Sequence, residues 1–252
     1  MIKALAFVLL FVLTNASLVL LFPPTTTRVL ACLAIYGCGT GVMLAVLFIP
    51  GIGWLAAGRT SLRCEGGRCI AITFDDGPTP DVTPKVLDVL RAKGVLATFF
   101  FVGSLVEANP EVARRVRNEG HAIGNHTYSH PSLFCFLTPG QLRAELTRGQ
   151  DAIRQATGVT STHFRSPVGL RHPLLAPTLE QTGLDFVLWS IRSYDTWPQS
   201  VESLRQRILD QVHPGAIVLL HDRPGRGSSA MLEVLPGVID QLLARGYRLV
   251  TV

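Results

Sequence analysis

From Cys69 onward the chain alternates between two kinds of segment. Short apolar runs (CIAITF, ATFFFVG, HAIGN, THFRS, DFVLWS, AIVLLH, YRLVTV) are separated by stretches with helix punctuation. Thr83-Pro84, Pro110, Thr138-Pro139, Pro173 and Ser200 open those stretches, and Gly94, Gly120, Gly158, Gly183 and Gly246 lie where four of them and a last one from about Ala230 stop. Proline suits a first helical turn and glycine a left-handed cap, so the pattern predicts helices between strands. Strand, helix, strand repeated through seven strands requires a parallel sheet covered by helices. Over 69–252 it predicts an α/β fold, and seven steps in this length favour a small or distorted barrel over the alternative, an open doubly wound sheet. In such folds the residues at the C-terminal ends of the strands line the site.

Most of the remaining residues, 1–68, are in two apolar runs. No charged residue occurs from Ala4 to Phe22 or from Val29 to Gly58, and each run reaches the length of about 20 residues that crosses a bilayer as a helix. The expectation is a two-helix transmembrane hairpin in residues 1–58, with helices at about 4–22 and 29–50, a linker over 59–68, and the barrel after it. A cleavable signal peptide is the alternative for the first run, although no small-x-small site precedes Pro23. The hairpin predicts a multi-pass membrane protein, and two signals for its orientation conflict. Lys3, Arg59, Arg63 and Arg68 outweigh Arg28 in the connecting loop, which points to a cytoplasmic barrel. Cys64 and Cys69 flank Gly66-Gly67, so a hairpin turn there would face two sulfurs and point to an oxidising, periplasmic side. Two free thiols are the alternative. The net charge of +5 is scattered, without the basic, aromatic-interleaved block of a nucleic-acid groove.

Polar residues gather at one end of the expected sheet. Asp75 and Asp76 follow the first strand, His126 and His130 the third, Arg165 the fourth, Asp195 the fifth, and His221 with Asp222 the sixth. Two histidines four apart on a helical turn, with a carboxylate nearby, make three protein ligands for a divalent metal. If Asp76 binds the ion, Asp75 is left free as a general base. His221, with a pKa near neutrality, suits the acid that protonates a leaving group. Arg165 can fix Asp75 by a bidentate contact, and backbone N–H groups around Val168 can meet an oxyanion. Trp189 and Trp197 are candidates for stacking on a sugar, with core burial the alternative for Trp189. Phe134 and Phe136, in SLFCFLTP, form an apolar loop that either touches lipid or packs under the barrel.

TFDDGP, HTYSH, RSPVG and LLH, in that order, closely resemble the motifs of polysaccharide deacetylases with the NodB homology domain, carbohydrate esterase family 4. The resemblance covers about 69–252. It implies a distorted (β/α)7 barrel and hydrolysis of N-acetyl groups on amino sugars with a divalent ion, usually zinc, with cobalt, nickel or manganese as substitutes. By position, Asp75 is the base, Asp76, His126 and His130 the ligands, His221 the acid, Arg165 the residue that orients the base, and Pro167-Val168 the oxyanion turn. The pattern departs at Arg192, where the family carries an aspartate, at Val168, usually a tyrosine, and at Trp197, one residue late; Asp195 is the candidate to tune His221. The expected partners are an N-acetylated glycan or lipid-linked amino sugar and membrane lipid. Deformylation of a lipid-linked amino sugar and an inactive membrane scaffold are the alternatives.

Overall fold

The computed structural model describes residues 26–48, 56–65 and 67–252. The elements in chain order are α1 (Thr26–Phe48), β1 (Cys69–Gly77), α2 (Thr83–Lys93), β2 (Thr98–Phe101), α3 (Gly103–Ala108), α4 (Pro110–Asn118), β3 (Ala122–Asn125), α5 (Pro139–Thr157), β4 (His163–Phe164), α6 (Leu175–Thr182), β5 (Asp185–Phe186), β6 (Ile191–Arg192), α7 (Val201–Leu209), β7 (Ile217–His221), α8 (Ser228–Ala244) and β8 (Arg248–Leu249). Single 3-10 turns occupy Phe134–Phe136 and Pro167–Gly169.

The strands form one curled sheet in the order β5-β4-β3-β2-β1-β7-β6, with β8 beside β1, and every pair is parallel. This is the α/β architecture expected, with eight strands in place of seven, because DFVLWS and its continuation split into β5 and β6. Those two strands do not pair with each other, so the curl is a half-barrel. Part of the expected linker crosses the gap: the Arg59 N–H donates to Phe186 O (2.7 Å), the Leu188 N–H to Arg59 O (2.8 Å) and the Leu62 N–H to Gly215 O (2.8 Å). A short stretch of otherwise irregular chain thereby covers strand edges that would be left unpaired.

Burial follows the period of two in β-strands. Ile70, Ile72 and Phe74 of β1, Phe99 and Phe101 of β2, and Val218 and Leu220 of β7 pack in one core with α2, α7 and α8. The alternate residues Ala71, Phe100, Ile217 and Leu219 join a second core with Phe164 and Trp189. Thr73 and Asp75 share that second face by alternation, so polar groups enter it only towards the C-terminal end of β1.

Helix limits follow the sequence signals where these are local. Thr138 and Gln141 close a capping box at the start of α5, Ser200 caps α7, and Gly94, Gly158 and Gly183 end their helices in left-handed backbone. The six-residue α3 has no such signal and was not expected.

The transmembrane hairpin is not shown. Residues 4–22 lie outside the described residues, 26–48 form a single helix, and no fully described helical stretch is long and apolar enough to cross a membrane. Cys64 and Cys69 form a disulfide with Cα atoms 5.6 Å apart, but no pair of strands flanks it; Cys69 opens β1 and Cys64 precedes it in irregular chain.

Candidate active site

Successive strand residues point to opposite faces, so Asp75 and Asp76 should diverge. They do not, because both lie inside β1 and the register with β2 slips between Asp75 and Gly77 while Asp76 takes φ 71°. A bulge of this kind re-aims a side chain; here it turns both carboxylates into one mouth. The other non-glycine residues with positive φ among the described residues are Thr127, His130, Val168 and Tyr194, and all of these except Thr127 also line the same cavity, of about 140 Å³. Backbone of this kind costs about 1–3 kcal/mol per residue and persists where the surrounding structure enforces it.

His126 and His130 leave the end of β3 in an irregular loop, not the helical turn expected. Asn125 Oδ1 accepts from the Thr127 N–H (2.9 Å), and Thr127 Oγ1 accepts from the His130 N–H (3.0 Å). Glu145, projecting from α5, accepts the N–H groups of Tyr128 (3.0 Å) and Ser129 (2.8 Å). So folded, the loop brings both Nε2 atoms to Asp76 Oδ1, at 3.4 Å from His126 and 3.1 Å from His130. The three ligand atoms lie within 4.8 Å of one another. His126 Nδ1 lies 2.7 Å from the Arg165 carbonyl, which fixes Nδ1 as the donor and leaves Nε2 as a metal ligand atom. Burial by itself would raise the Asp76 carboxyl, but the His126 and His130 imidazoles beside it outweigh burial and hold the group well below the usual carboxylate range. One carboxylate and two imidazoles with this spacing fit a divalent ion such as zinc.

Arg165 is fully buried. Its Nη1 donates to Asp75 Oδ1 and to Thr73 Oγ1, both at 2.7 Å, and its Nη2 and Nε donate to the carbonyls of Leu188 (2.9 Å) and Val187 (3.3 Å). The guanidinium lies 4.0 Å from the Phe100 ring centroid. The contact with Asp75 is therefore single, not bidentate, and the remaining donors anchor the arginine to the barrel interior.

On the opposite wall Asp195 holds His221 twice, through His221 Nδ1 and Asp195 Oδ1 (2.8 Å) and from the His221 N–H to Oδ2 (2.8 Å). Burial opposes charge on His221, but the Asp195 bond outweighs it and raises the imidazole above its ordinary value. Gly227 lets this arrangement form: a Cβ there would stand 1.6 Å from Asp195 O. The neighbouring Asp222 points away from the mouth, its Oδ2 accepting from Thr83 Oγ1 at 2.6 Å, and burial pushes its carboxyl up to about 7.

Val168 lines the cavity between Pro167, which is buried, and Gly169. Trp189 also lines it, whereas Trp197 is 67% exposed and outside it; Thr196 occupies that wall instead. Phe134 is buried and Phe136 exposed, so the first ring packs under the barrel and the second does not. Sequence reasoning missed Arg223, whose Nε approaches Asp76 Oδ2 at 3.3 Å, as well as Glu145 and Tyr194. The strand-end rule that found His221 reaches Arg223 two residues later.

The sequence profile described as polysaccharide deacetylase matches residues 63–187. The chain is 36% identical over 184 residues to a peptidoglycan-N-acetylglucosamine deacetylase of Bacillus cereus, covering 72% of this chain and 66% of that one. It is 36% identical over 203 residues to a chitooligosaccharide deacetylase of Azorhizobium caulinodans, covering 76% of this chain and 96% of the relative. The chain belongs to the polysaccharide deacetylase family. A crystal structure of a peptidoglycan N-acetylglucosamine deacetylase superposes on the deacetylase domain with a TM-score of 0.69 at 34% identity, over 73% of this chain and 86% of the other. The family's parallel half-barrel, of the carbohydrate esterase 4 or NodB type, is thus the fold found here.

Proposed function

We propose that the protein hydrolyses the N-acetyl group of an amino sugar in an envelope glycan, from the oxidising side of the membrane that carries it. The observation behind the reading is one cavity walled on one side by Asp75 and the Asp76, His126, His130 trio and on the other by His221, which the buried Asp195 holds from behind. A divalent ion held by the trio, zinc in our reading, supplies Lewis-acid polarisation of the acyl carbonyl. Asp75, aimed by Arg165, takes a proton from the attacking water as its oxygen bonds to the carbonyl carbon. The Val168 N–H meets the developing oxyanion. His221, kept protonated by Asp195, gives its proton to the sugar nitrogen as the C–N bond breaks, releasing acetate and the free amine.

Three further parts of the reading are proposals of the same kind. The apolar N-terminal runs anchor the domain as a membrane hairpin, supported by the absence of charge in both. The disulfide at Cys64–Cys69 supports the periplasmic side over the cytoplasmic one that the basic flanks favour. A polymeric or oligomeric glycan is preferred to a lipid-linked sugar because two relatives are named for such substrates.

The test is metal content with acetate and formate release, on detergent-purified protein, from peptidoglycan, chitooligosaccharides and lipid-linked amino sugars. About one equivalent of zinc with acetate released from a glycan is the expected result. Formate from a lipid-linked sugar would transfer the reading to a deformylase, bound ion with no release from any substrate to an inactive scaffold, and no bound ion would remove the site built on Asp76, His126 and His130. A periplasm-dependent reporter fused after Val252 and thiol labelling of Cys64 and Cys69 decide the side of the membrane.

A further inference from the structure

Arg192 lines the cavity as a cation, and its setting gives that cation a direction. Its guanidinium lies 5.8 Å from the Trp189 ring centroid and 5.0 Å from that of Tyr194, aromatic faces that hold a cation without neutralising it. Among the described residues it makes neither a hydrogen bond nor an ion pair. On β6 it stands in register with Leu219, two residues before His221 on β7, and it opens on the cavity that holds Asp75, Asp76 and His221.

Arg223 adds a second cation to the same cavity. Its side chain is 49% exposed, and its one ion pair is the 3.3 Å approach to Asp76. Tyr194 braces the arrangement in left-handed backbone, its carbonyl accepting from the Trp197 N–H (3.0 Å) and Gln199 Nε2 (2.6 Å). A neutral N-acetyl sugar offers two guanidinium groups no counter-charge. The planar fork of arginine matches the paired oxygens of carboxylate and phosphate.

We propose that Arg192 and Arg223 form a subsite for an anionic group, a carboxylate or a phosphate, carried by the substrate beside the N-acyl group under attack. The proposal deepens the N-deacetylase reading above and rests on it.

Calorimetric binding to the zinc-loaded full chain in detergent tests it, with three probes: neutral diacetylchitobiose, the disaccharide of N-acetylglucosamine and N-acetylmuramic acid, and N-acetylglucosamine 1-phosphate. At least one anionic probe is expected to bind about tenfold or more tightly than the neutral one, with the advantage shrinking as salt rises. In the Arg192→Gln/Arg223→Gln double variant the preference should fall to roughly twofold or less, while Arg192→Lys, which keeps charge without the fork, retains part of it. Should the double variant not fold, Arg223→Gln alone, at an exposed position, must still reduce the preference. Preference for the muramic disaccharide assigns a carboxylate, and preference for the sugar phosphate assigns a phosphate. Equal binding of all three probes by the unaltered protein, or a preference that survives the double variant, overturns the subsite. Acetate release from the same samples separates the two readings: release without anion preference removes the subsite and leaves the activity, and preference without release from any probe does the reverse.

Discussion

The two walls of the cavity are built differently. On the β1, β3 and β4 side the functional groups are held in a closed network: Arg165 spends its donors on Asp75, Thr73 and two carbonyls, His126 is oriented by the Arg165 carbonyl, and Glu145 ties down the histidine loop. On the β6 and β7 side the His221 and Asp195 pair is held as firmly, but Arg192 is unpaired among the described residues and Arg223 is half-exposed. A group that must sit within a fraction of an ångström of a reacting atom needs a second layer of contacts. Groups that meet the variable part of a substrate keep their partners for it. In the reading proposed above, the reacting groups, His221 included, are the braced ones on both walls, and the two arginines stand at the open edge.

The largest effect should come from the closed wall. Asp75→Asn removes the proposed proton acceptor and leaves Asp76, His126 and His130 in place, so turnover should fall roughly a thousandfold with metal content unchanged in metal analysis. Zinc loss from this variant would make Asp75 a ligand and undo the division between the two carboxylates. Across the cavity, Gly227→Ala should cost about tenfold to a hundredfold in kcat/KM, because the new Cβ meets Asp195 O and must displace the residue that fixes His221. Zinc affinity, which depends on the other wall, should stay constant in the same protein.

Asp195→Asn separates charge from position. If His221 is the acid, as proposed above, it must be protonated to act, so activity should fall as pH rises through its pKa, and the Asp195 bond that raises this pKa should extend activity to higher pH. Removing the negative charge should lower the alkaline limb of the kcat/KM profile and reduce its maximum by about tenfold. A profile of unchanged shape and lower amplitude would leave Asp195 a purely steric role.

The walls also differ in how far they were legible in the sequence. Asp75, Asp76, His126 and His130 were readable because strand-end position is a local property, set by apolar runs and turn residues. The backbone that converges them was not: the bulge at Asp76 depends on β2, and the loop at His126–His130 on Glu145, both distant in sequence. The β5 to β6 gap was hidden because only a few residues of the expected linker pair with the sheet, too few to produce an alternating pattern. Arg192 was visible as a departure from the family pattern, but its lack of a partner is a tertiary fact.

The smallest expected effect concerns Trp197, read from the sequence as a stacking residue. Its ring is 67% exposed and outside the cavity, while its N–H bonds to the Tyr194 carbonyl. Every residue except proline supplies that N–H, so Trp197→Ala keeps the brace on Tyr194 and loses only an exposed ring. On a short, neutral chitooligosaccharide the expected change in kcat/KM is under about threefold, in line with surface substitutions that stay within ±0.5 kcal/mol. On a longer chain a larger loss in KM with kcat unchanged would place a sugar ring on the indole, outside the catalytic pocket, since an interaction present equally in ground and transition states affects binding alone. Comparing chain lengths thus measures how far the open wall extends along the glycan, and a loss of kcat on the shortest substrate would place Trp197 beside the reacting sugar.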